Sequence, residues 1–460
     1  MITEKEKRYF FDLISASISW IIFFYYRKVE IENVDFEYST TFLYGTIVVS
    51  ICWMIFYFLS GNYLDVKRVS RLDELYTTLL QSTIGSLIIF FTLIIDDIEN
   101  YKNYKLLYEA LFILVLTHFS ITFIPRYFLT LSIVKKIKNK TITFKTLLIG
   151  DTETIQEIIK TKENLMGHEL IGYINCENQT IENSELPNIG NVDQLESILE
   201  NHHVEEAIIT FKKEKIKTYI DIINSLICND IITKVRPDIA DLLVGRVQMQ
   251  SFFDLPFIEI KQIKMSFFES NLKRGIDVFM SISILMILSP VLILIGLIVK
   301  LTSKGPIFYT QERLGLKKKP FNIIKFRSMK INAETDKPLL ASEDDKRITK
   351  WGKIMRKYRL DELPQFYNVL IGEMSIIGPR PERAFFANKI LEKANHYKLI
   401  YKVKPGITSW GMVKFGYAEN VEEMIKRLKY DIIYLENLSL LNDFKVFILT
   451  IFIILQGRGK

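Results

Sequence analysis

The chain has 460 residues, of which 49% are hydrophobic and 25% are charged. This mixture excludes a uniformly membrane-spanning protein, which rarely keeps so many charges, and it predicts a membrane portion joined to water-facing domains. A net charge of +7, from 60 basic and 53 acidic residues, is too small for a nucleic-acid-binding protein of this length but suits a protein that lies on anionic lipid.

Four apolar runs occupy the first third of the chain, at residues 10–26, 41–59, 79–95 and 106–124. Each approaches the roughly 20 residues that a helix needs to cross a bilayer. Basic residues precede the first run and follow the second and the fourth, where Arg126 begins the last basic group. Because basic residues favour the cytoplasmic side, the sequence predicts an N-in, four-helix transmembrane bundle over residues 1–132. No small-residue cleavage pattern follows the first run, so we expect no cleavable signal peptide.

The predicted spans contain few ionisable residues. Asp12 and Glu109 lie near the ends of runs, and His118 stands alone. A transport pathway through a membrane usually carries several ionisable side chains. We therefore expect the bundle to be an anchor or an oligomerisation unit, and a homodimer is the simplest assembly of the second kind.

From residue 143 the pattern changes to short apolar strands that alternate with amphipathic helices. Strands are predicted at 145–149, 170–174, 206–210 and 231–235, and helices at 152–162 and 216–227. This alternation predicts a small, Rossmann-like parallel-sheet domain over residues 143–250, followed by a linker over 251–272. The first strand ends in GDTET at 150–154, where a dinucleotide-binding fold needs GxGxxG, so we favour a structural or regulatory domain over a redox site.

A membrane-bound nucleotide-sugar dehydratase is the alternative that this domain keeps open. Such an enzyme needs a nicotinamide cofactor and usually a cytosolic YxxxK pair. Tyr101 and Lys105 have that spacing, but they fall between the third and fourth predicted runs, which the charge pattern places outside the cell. The sequence therefore gives little support to this alternative.

The three cysteines, Cys52, Cys176 and Cys228, are far apart and form no CxxC or Cys/His grouping. Their spacing argues against a disulfide framework and against a zinc site. It is typical of free thiols in a reducing compartment.

A fifth apolar segment, at residues 275–301, carries Ser289-Pro290 near its centre. Proline removes a backbone hydrogen bond and clashes with the preceding turn, so a helix must kink or break there. Basic residues flank both ends, with Lys273 and Arg274 before the segment, which places both ends in the cytoplasm. Each half is too short to cross a bilayer alone, so the sequence predicts a re-entrant helix hairpin in which Ser289 satisfies backbone groups at the break. The alternative is a kinked spanning helix.

Downstream of this segment, basic residues recur in short turns with glycine, proline or paired carboxylates. The motifs are GPIFYTQER at 305–313, KFRSM at 325–329, RKYRLDELPQ at 356–365, GPRPE at 378–382 and KPGIT at 404–408. Arginine forks match phosphate oxygens in bidentate fashion, so arginine-bearing turns that converge on one cleft would suit a diphosphate. Taken singly, each basic cluster is more often a solvated or lipid-facing surface.

Asp361 and Glu362 are adjacent carboxylates that stand just before Pro364, a residue suited to the first turn of a helix. Two carboxylates in one cleft repel each other and can share a cation, for which Mg²⁺ with phosphate oxygens is the usual partner. One of the two could then attack phosphorus and form an aspartyl phosphate. The alternative is that the pair only caps a helix.

Two further segments have more than one interpretation. The apolar run at 446–455 is too short to span a membrane and suits either an interfacial helix or a core helix. Trp351 and Met355, interleaved with Lys350, Lys353 and Arg356, equally suit an interfacial amphipathic helix or core packing.

The segment 273–460 closely resembles the polyprenyl-phosphate glycosylphosphotransferases, the monotopic phosphoglycosyl transferases of bacterial surface-polysaccharide synthesis. Five elements match that family in order. They are the Lys-Arg start with its Ser-Pro break, the GPIFYTQER, KFRSM and RKYRLDELPQ motifs, and the GPRP part of the fourth motif. One departure is Thr310, where the family often carries a basic residue that would contact phosphate. The resemblance implies a membrane protein of α and α/β class: a four-helix transmembrane bundle, a Rossmann-like domain and a mostly α catalytic domain over 273–460 with a re-entrant hairpin.

The resemblance also implies a two-step transfer at the bacterial inner membrane, with the catalytic domain facing the cytoplasm. Asp361 is the expected nucleophile, attacking the β-phosphate of a UDP-sugar and releasing UMP, and Glu362 is the expected Mg²⁺ ligand. Undecaprenyl phosphate then takes the sugar phosphate from Asp361, as the first membrane step of polysaccharide synthesis. The residues expected to bind substrate phosphates are Lys273, Arg274, Arg313, Lys325, Arg327, Arg356, Pro379 and Arg380. A scaffold for polysaccharide assembly is the non-enzymatic alternative.

Overall fold

The computed structural model describes residues 3–31, 33–94, 104–160, 165, 167–177, 181, 184–210, 216–236, 257–331 and 345–456. It divides into two compact units, Met1–Thr143 and Phe144–Lys460. The strands that the structure describes all lie in the second unit.

The first unit is built from long helices: α1 Glu4–Tyr26, α2 Thr40–Leu59, α3 Arg71–Ile89 and α4 Tyr104–Lys138. Within the described residues four helices are long and apolar enough to cross a membrane, which confirms the predicted number of spans. Helices α1 and α3 start earlier than the apolar runs because polar residues cap them. Thr3 and Glu6 form a capping box at α1, and Ser70 caps α3.

Helix α4 continues through Pro125 to Lys138, although the predicted fourth run ends at residue 124. Proline interrupts most helices in water, but a membrane helix tolerates it because neighbouring helices satisfy the freed backbone groups. Arg126 therefore lies inside α4 rather than after its end.

Ion pairs cross the interior of this bundle. Arg126 Nε donates to Asp12 Oδ1 at 2.7 Å, and Arg8 Nη2 donates to Glu74 Oε1 at 2.8 Å. All four side chains are buried, so Asp12 faces the interior of the bundle rather than one of its ends. Buried charges are tolerated at such positions when they are paired. The pairs join α1 to α3 and to α4.

His118, which the sequence analysis treated as isolated, has a partner at each ring nitrogen. Nδ1 lies 2.8 Å from Ser19 Oγ, and Nε2 lies 2.6 Å from Tyr57 Oη. The imidazole also stacks on Trp53, with the ring centroids 3.5 Å apart. The histidine thus connects α1, α2 and α4 through a buried polar network.

The second unit opens with a sheet. Its described strands are β1 Phe144–Gly150, β2 His168–Asn175, β3 Asn188–Gly190, β4 Glu206–Thr210, β5 Ile232–Val235 and β6 Ile258–Glu259. The strand order is β3-β2-β1-β4-β5-β6, parallel throughout except for β6, which is antiparallel to β5. The helices beside the sheet are α5 Thr152–Lys160, α6 Leu195–His202 and α7 Ile216–Cys228. The predicted Rossmann-like parallel sheet is confirmed.

Strands β3 and β6 do not follow from the sequence pattern. Strand β6 lies within the segment predicted as a linker, of which residues 251–256 are outside the described residues. Periodicity needs several alternating residues, and strands of two or three residues provide too few. Such strands form because a neighbouring strand offers an open edge.

The end of β1, where a dinucleotide would lie in a Rossmann fold, is occupied by the chain's own side chains. Tyr219 Oη donates to Asp151 Oδ1 at 2.9 Å, and Thr154 Oγ1 donates to Thr210 Oγ1 at 3.0 Å. These bonds favour a structural or regulatory domain over a cofactor site. Tyr101 of the YxxxK pair lies outside the described residues.

Helix α7 contributes to two hydrophobic cores. Tyr219, Ile222 and Leu226 pack in the core of the sheet domain. Ile227 packs instead with the core of the carboxyl-terminal domain. Because one helix serves both cores, the sheet domain and the carboxyl-terminal domain form a single compact unit.

The fifth apolar segment forms helix α8 Phe267–Ile287 and helix α9 Ser289–Thr302, which are bent by 63° at the junction. Helix α8 starts before the predicted residue 275 because Ser266 forms a capping box with Glu269. Pro290 lies in the first turn of α9, where a missing N–H costs no hydrogen bond. Ser289 Oγ donates to Met286 O at 2.8 Å, close to the break. This geometry fits either a broken span or a re-entrant hairpin.

The rest of the second unit is mostly helical, as predicted. Its strands are β7 Phe308–Leu314, β8 Pro320–Phe326, β9 Ser375–Ile377 and β10 Gly406–Thr408. Its helices are α10 Lys350–Lys357, α11 Gln365–Ile371, α12 Ala384–Lys393, α13 Trp410–Lys414, α14 Val421–Glu436 and α15 Leu440–Leu455. Strands β7 and β8 form an antiparallel hairpin, and β9 pairs with β10 in parallel.

The structure distinguishes the two interpretations of α10 and shows both environments in α15. Met355 is fully buried and packs with Trp351 against Ile295 of α9, so this face of α10 belongs to a core. In α15, Val446 is fully buried whereas Phe452 is exposed. One face of α15 therefore packs in the domain core while the other faces outward.

Candidate active site

Asp361 and Glu362 lie in a tight turn between α10 and α11. Arg359 adopts a left-handed backbone conformation with φ 55°, and Leu360–Glu362 form one turn of 3-10 helix. The turn carries both carboxylates into the interior, where Asp361 is 7% exposed and Glu362 is 5% exposed. Pro364 follows as the N-cap residue of α11, one position before the predicted first turn.

Glu362 is held by basic side chains from separate parts of the chain. Lys325 Nζ, on β8, donates to Glu362 Oε1 at 2.8 Å, and Arg380 Nη1 lies 3.6 Å from the same oxygen. Arg359 Nη1 lies 3.7 Å from Oε2. Burial by itself would raise the pKa of Glu362, but Lys325, Arg380 and Arg359 outweigh burial and hold the pKa below its usual range. Glu362 is therefore an ionised counter-ion at neutral pH.

Asp361 has a different electrostatic environment. Burial raises the pKa of Asp361 and the charge of Glu362 raises it further, while Lys325 and Arg356 oppose these effects only in part. A carboxylate with a raised pKa is a stronger base once it is ionised. The adjacent pair can thus supply two distinct groups, a fixed counter-ion and a reactive carboxylate.

The structure brings part of the predicted phosphate-binding set to this pair. Lys325 and Arg380 approach Glu362 directly, as described above. Arg356 lowers the pKa of Asp361 through its charge, and its Nε donates to Ser328 Oγ at 3.0 Å. Among the described residues of the site, cations outnumber the two carboxylates. An excess of positive charge in a buried site suits a polyanion such as a diphosphate.

Arg313, Arg327 and Pro379 have other partners in the structure. Arg313 Nη1 lies 3.2 Å from Glu382 Oε2, and Arg327 Nη2 donates to Ser303 O at 2.7 Å. The carbonyl of Pro379 accepts a hydrogen bond at 2.9 Å from the first backbone N–H of β10. Buried guanidinium groups need acceptors, and these contacts supply one to each arginine, although Arg313 Nε and Arg327 Nε have none among the described residues. Within the described part of the chain, these three residues make no direct contact with the carboxylate pair. Their phosphate-binding role stays a prediction.

Comparison with known proteins agrees with this geometry. The family model described as bacterial sugar transferase matches residues 268–457, which include α9 and every residue of the carboxylate site. A relative from Klebsiella pneumoniae, named UDP-glucose:undecaprenyl-phosphate glucose-1-phosphate transferase, is 37% identical over 218 residues, 47% of this chain and 47% of its own. A Caulobacter vibrioides protein of the same name is 36% identical over 181 residues, 39% of this chain and 68% of its own. The chain belongs to the bacterial sugar transferase family.

A further relative of this bacterial sugar transferase has a different sugar in its name. The Aeromonas hydrophila protein is named UDP-N-acetylgalactosamine-undecaprenyl-phosphate N-acetylgalactosaminephosphotransferase, and it is 36% identical over 221 residues, 48% of this chain and 52% of its own. The chain thus spans about half the length of the Klebsiella and Aeromonas relatives, 47% and 52%.

In this bacterial sugar transferase, Lys273 and Arg274 hold α8 against the rest of the domain. Arg274 donates from Nη1 to Val369 O at 2.6 Å and from Nη2 to Leu370 O at 2.8 Å, near the end of α11. Lys273 Nζ donates to a carbonyl of β9 at 2.9 Å and also pairs with Asp443. The last carbonyls of a helix lack partners within the helix and attract cationic donors. The structure therefore shows these two residues in anchoring contacts rather than in the predicted phosphate site.

Two residues of the site were not predicted from the sequence. Arg359 lies inside the RKYRLDELPQ motif, two positions before Asp361, so its charge was an available signal. Tyr417 lies in none of the motifs, and its ring centroid is 5.1 Å from the guanidinium carbon of Arg359 and 5.0 Å from that of Arg380. An aromatic residue between two helices gives no sequence signal of such a contact.

Glu362 is also the predicted Mg²⁺ ligand. Among the residues that the structure describes, no group of three or more His, Cys, Asp or Glu side chains could hold a metal ion. The oxygen donors at the site are the Asp361 carboxylate and Glu362 Oε2, which is buried and accepts no hydrogen bond from the described residues. Magnesium usually binds one or two carboxylates and takes its other ligands from substrate phosphates and water. The donor set therefore fits Mg²⁺ that binds together with a diphosphate, and Mg²⁺ stays a prediction.

Proposed function

We propose that this chain transfers a sugar 1-phosphate from a UDP-sugar to undecaprenyl phosphate and releases UMP. The observation that carries the proposal is the buried carboxylate pair, in which basic side chains keep Glu362 ionised while burial raises the pKa of Asp361. The names of the relatives supply the two substrate classes. The proposed product is undecaprenyl-diphosphate-sugar, formed at the first membrane step of surface-polysaccharide synthesis.

Asp361 is the proposed nucleophile. One carboxylate oxygen attacks the β-phosphorus of the UDP-sugar, and the bond from that phosphorus to the oxygen that bridges the two phosphates breaks, so UMP leaves with the bridging oxygen. A phosphate oxygen of undecaprenyl phosphate then attacks the same phosphorus, and the bond to Asp361 breaks. The carboxylate is regenerated and no net proton is taken up or released.

The basic residues of the site support this reaction. Phosphoryl transfer depends mainly on positioning and on cations placed where negative charge lies in the transition state. Lys325, Arg356 and Arg380 are close enough to the carboxylate pair to interact with the phosphates of a substrate bound there. Mg²⁺, held by Glu362 when bound, would neutralise further phosphate charge.

A lipid co-substrate requires an active site at the membrane surface. Helices α8 and α9 expose apolar side chains, among them Phe279 at 72% and Ile287 at 74% exposure. Apolar surface of this extent is costly in water and suits a lipid environment. We infer a re-entrant hairpin in the bacterial inner membrane, a catalytic domain on the cytoplasmic face, and a homodimer formed through the bundle.

The proposal is tested with purified full-length protein, undecaprenyl phosphate and Mg²⁺. UDP-glucose and UDP-N-acetylgalactosamine are supplied in separate reactions, because the named relatives differ in their sugar, and UDP-galactose is supplied as a third candidate. We expect one of them to give UMP and a lipid-linked diphosphate-sugar, both identified by mass spectrometry. Release of UDP in place of UMP would show transfer of the sugar alone and would overturn the proposal.

Replacing Lys325 by methionine removes the closest cation of Glu362 while nearly preserving side-chain length. We expect kcat/KM for the UDP-sugar, measured by UMP release, to fall by roughly 10²-fold, as when one charge-stabilising donor is lost from an active site. Lys330→Met is the control, because Lys330 is exposed just beyond β8. It should change kcat/KM by less than about twofold. Equal losses in the two variants would contradict a specific role for Lys325.

The acidic limb of the pH–rate profile should report the ionisation of Asp361. Attack requires the carboxylate, and the raised pKa of Asp361 means that the carboxylate is lost at a higher pH than the ordinary aspartate value of about 3.9. Because Lys325 lowers the pKa of Asp361, Lys325→Met should move the limb to still higher pH. Single-turnover UMP release across pH measures this shift. A limb that stays in place or moves to lower pH would show that another group controls it.

A further inference from the structure

Tyr417 lies between α13 and α14 and contacts both arginines that approach Glu362. Its ring centroid is 5.1 Å from the guanidinium carbon of Arg359 and 5.0 Å from that of Arg380. The same two guanidinium groups lie 3.7 Å and 3.6 Å from the oxygens of Glu362. Arg359, Arg380, Tyr417 and Glu362 thus form one compact group beside Asp361, which we name the Tyr417 cluster.

Separate parts of the fold fix the members of the Tyr417 cluster. Gly416, directly before Tyr417, has φ +97°, a conformation that residues with a side chain rarely adopt. Arg359 is itself left-handed at φ 55°, which is uncommon for a non-glycine residue and concentrates at functional sites. Arg380 Nη1 lies 3.3 Å from Met412 Sδ on α13. The backbone therefore directs these side chains toward one another.

The tyrosine ring addresses an electrostatic difficulty within the Tyr417 cluster. Arg359 and Arg380 repel each other, and Glu362, which lies within 4 Å of both, also pairs with Lys325. The face of an aromatic ring attracts cations, most strongly where water is excluded. The ring can therefore help to hold the two guanidinium groups together without adding negative charge, which would repel a substrate phosphate.

The Tyr417 cluster also retains an unused donor. Arg359 Nε donates to no acceptor among the described residues. The side chain is only 9% exposed, so this donor is buried. A buried donor without an acceptor is unfavourable, and a phosphate oxygen of the substrate would supply one. Arg359 lies two residues from Asp361, the proposed point of attack on the diphosphate.

We propose that Tyr417 is a positioning residue that holds Arg359 and Arg380 side by side as a binding site for the diphosphate of the UDP-sugar. The inference rests on the proposed function and adds two residues to it. Arg359 binds phosphate directly, whereas Tyr417 acts through the two arginines. The aromatic ring performs this role, because both guanidinium groups lie over its face.

The test measures the affinity of the full-length protein for UDP by calorimetry. Tyr417→Leu should weaken UDP binding roughly tenfold, the size expected when a desolvated cation–π contact is lost, and Tyr417→Phe should stay within about twofold of the wild type. Phe385→Leu is the matched control, because it removes a ring that lies 4.3 Å from Lys389 Nζ elsewhere in the same domain. Unchanged affinity in Tyr417→Leu, or an equal loss in Tyr417→Phe, would overturn the proposal.

Arg359→Gln tests whether Tyr417 affects UDP binding through Arg359. It also tests the proposal if Tyr417→Leu does not fold. This variant should weaken UDP binding about as much as Tyr417→Leu, roughly tenfold, and unchanged affinity would refute the proposal. Adding Tyr417→Leu to Arg359→Gln should cost less than Tyr417→Leu costs alone, whereas fully additive losses would show that Tyr417 does not act through Arg359.

Binding of UDP requires no turnover, so its outcome is separate from that of the proposed reaction. A wild-type protein that binds UDP but releases no UMP from any UDP-sugar would refute the proposed function. The loss of UDP affinity in Tyr417→Leu would still decide whether Tyr417 positions the arginines.

Discussion

Asp361→Asn should abolish the lipid-linked product and lower UMP release by on the order of 10⁴-fold, as expected when a catalytic nucleophile is removed. The asparagine amide keeps the shape of the side chain but is a much weaker nucleophile toward phosphorus. A carboxyl group whose pKa is raised on folding destabilises the folded protein at pH values above that pKa. Since the pKa of Asp361 is raised, the neutral amide should not lower the melting temperature.

Glu362→Gln is the matched comparison, because it removes the adjacent charge from the same turn. The pKa of Glu362 is lowered on folding, so its ionised form stabilises the folded protein above the ordinary glutamate pKa of about 4.3, and this contribution is lost only as the pH falls through the lowered value. At neutral pH Glu362→Gln should therefore lower both the melting temperature and the turnover. Similar stability losses in the two variants, or more than about 1% residual activity in Asp361→Asn, would contradict these roles.

Arg126→Met should lower the free energy of unfolding of the membrane bundle by about 3–5 kcal/mol, because it leaves a buried carboxylate without its cation. Among the described residues, Asp12 would then keep only the hydrogen bond from Tyr63 Oη, at 2.9 Å. Unfolding of the full-length protein in mixed micelles, followed by tryptophan fluorescence, measures the loss.

Lys136→Met is the control for Arg126→Met, since Lys136 lies on the same helix and also forms an ion pair. Lys136 Nζ lies 2.6 Å from Glu4 Oε1, but the lysine side chain is 35% exposed. An exposed pair contributes about 0–1 kcal/mol, so this variant should unfold nearly as the wild type does. Replacing Asp12 by asparagine in the Arg126→Met background should recover part of the stability. Equal losses in the free energy of unfolding for Arg126→Met and Lys136→Met would show that the buried pair stabilises the bundle no more than the exposed pair does.

The long elements of the fold could be predicted because their hydrophobic periodicity extends over many residues. Strand β4 spans Glu206–Thr210, the bounds that the sequence pattern predicts. Strand β6 and the passage of α4 through Pro125 could not be predicted, because each depends on neighbouring elements. A sheet edge decides whether two residues form a strand, and helix packing decides whether a proline ends a membrane helix.

The candidate site could be predicted in part because its motifs carry most of its charges. Lys325, Arg356 and Arg380 come from different motifs, and the structure brings them to the same carboxylate pair. Arg274 and Arg313 carry the same chemistry but have carbonyl or carboxylate partners elsewhere in the domain. The partner of a basic side chain depends on which acceptors the fold places within reach, and a motif does not contain that information.

The most direct test of the account uses the wild-type protein with UDP-sugar and Mg²⁺ in the absence of lipid. Covalent transfer to the enzyme predicts UMP release limited to about one equivalent, with the mass of one sugar phosphate added to the peptide that contains Asp361. Addition of undecaprenyl phosphate should then discharge the adduct. Release of UMP that strictly requires the lipid, with no adduct at Asp361, would contradict the covalent mechanism.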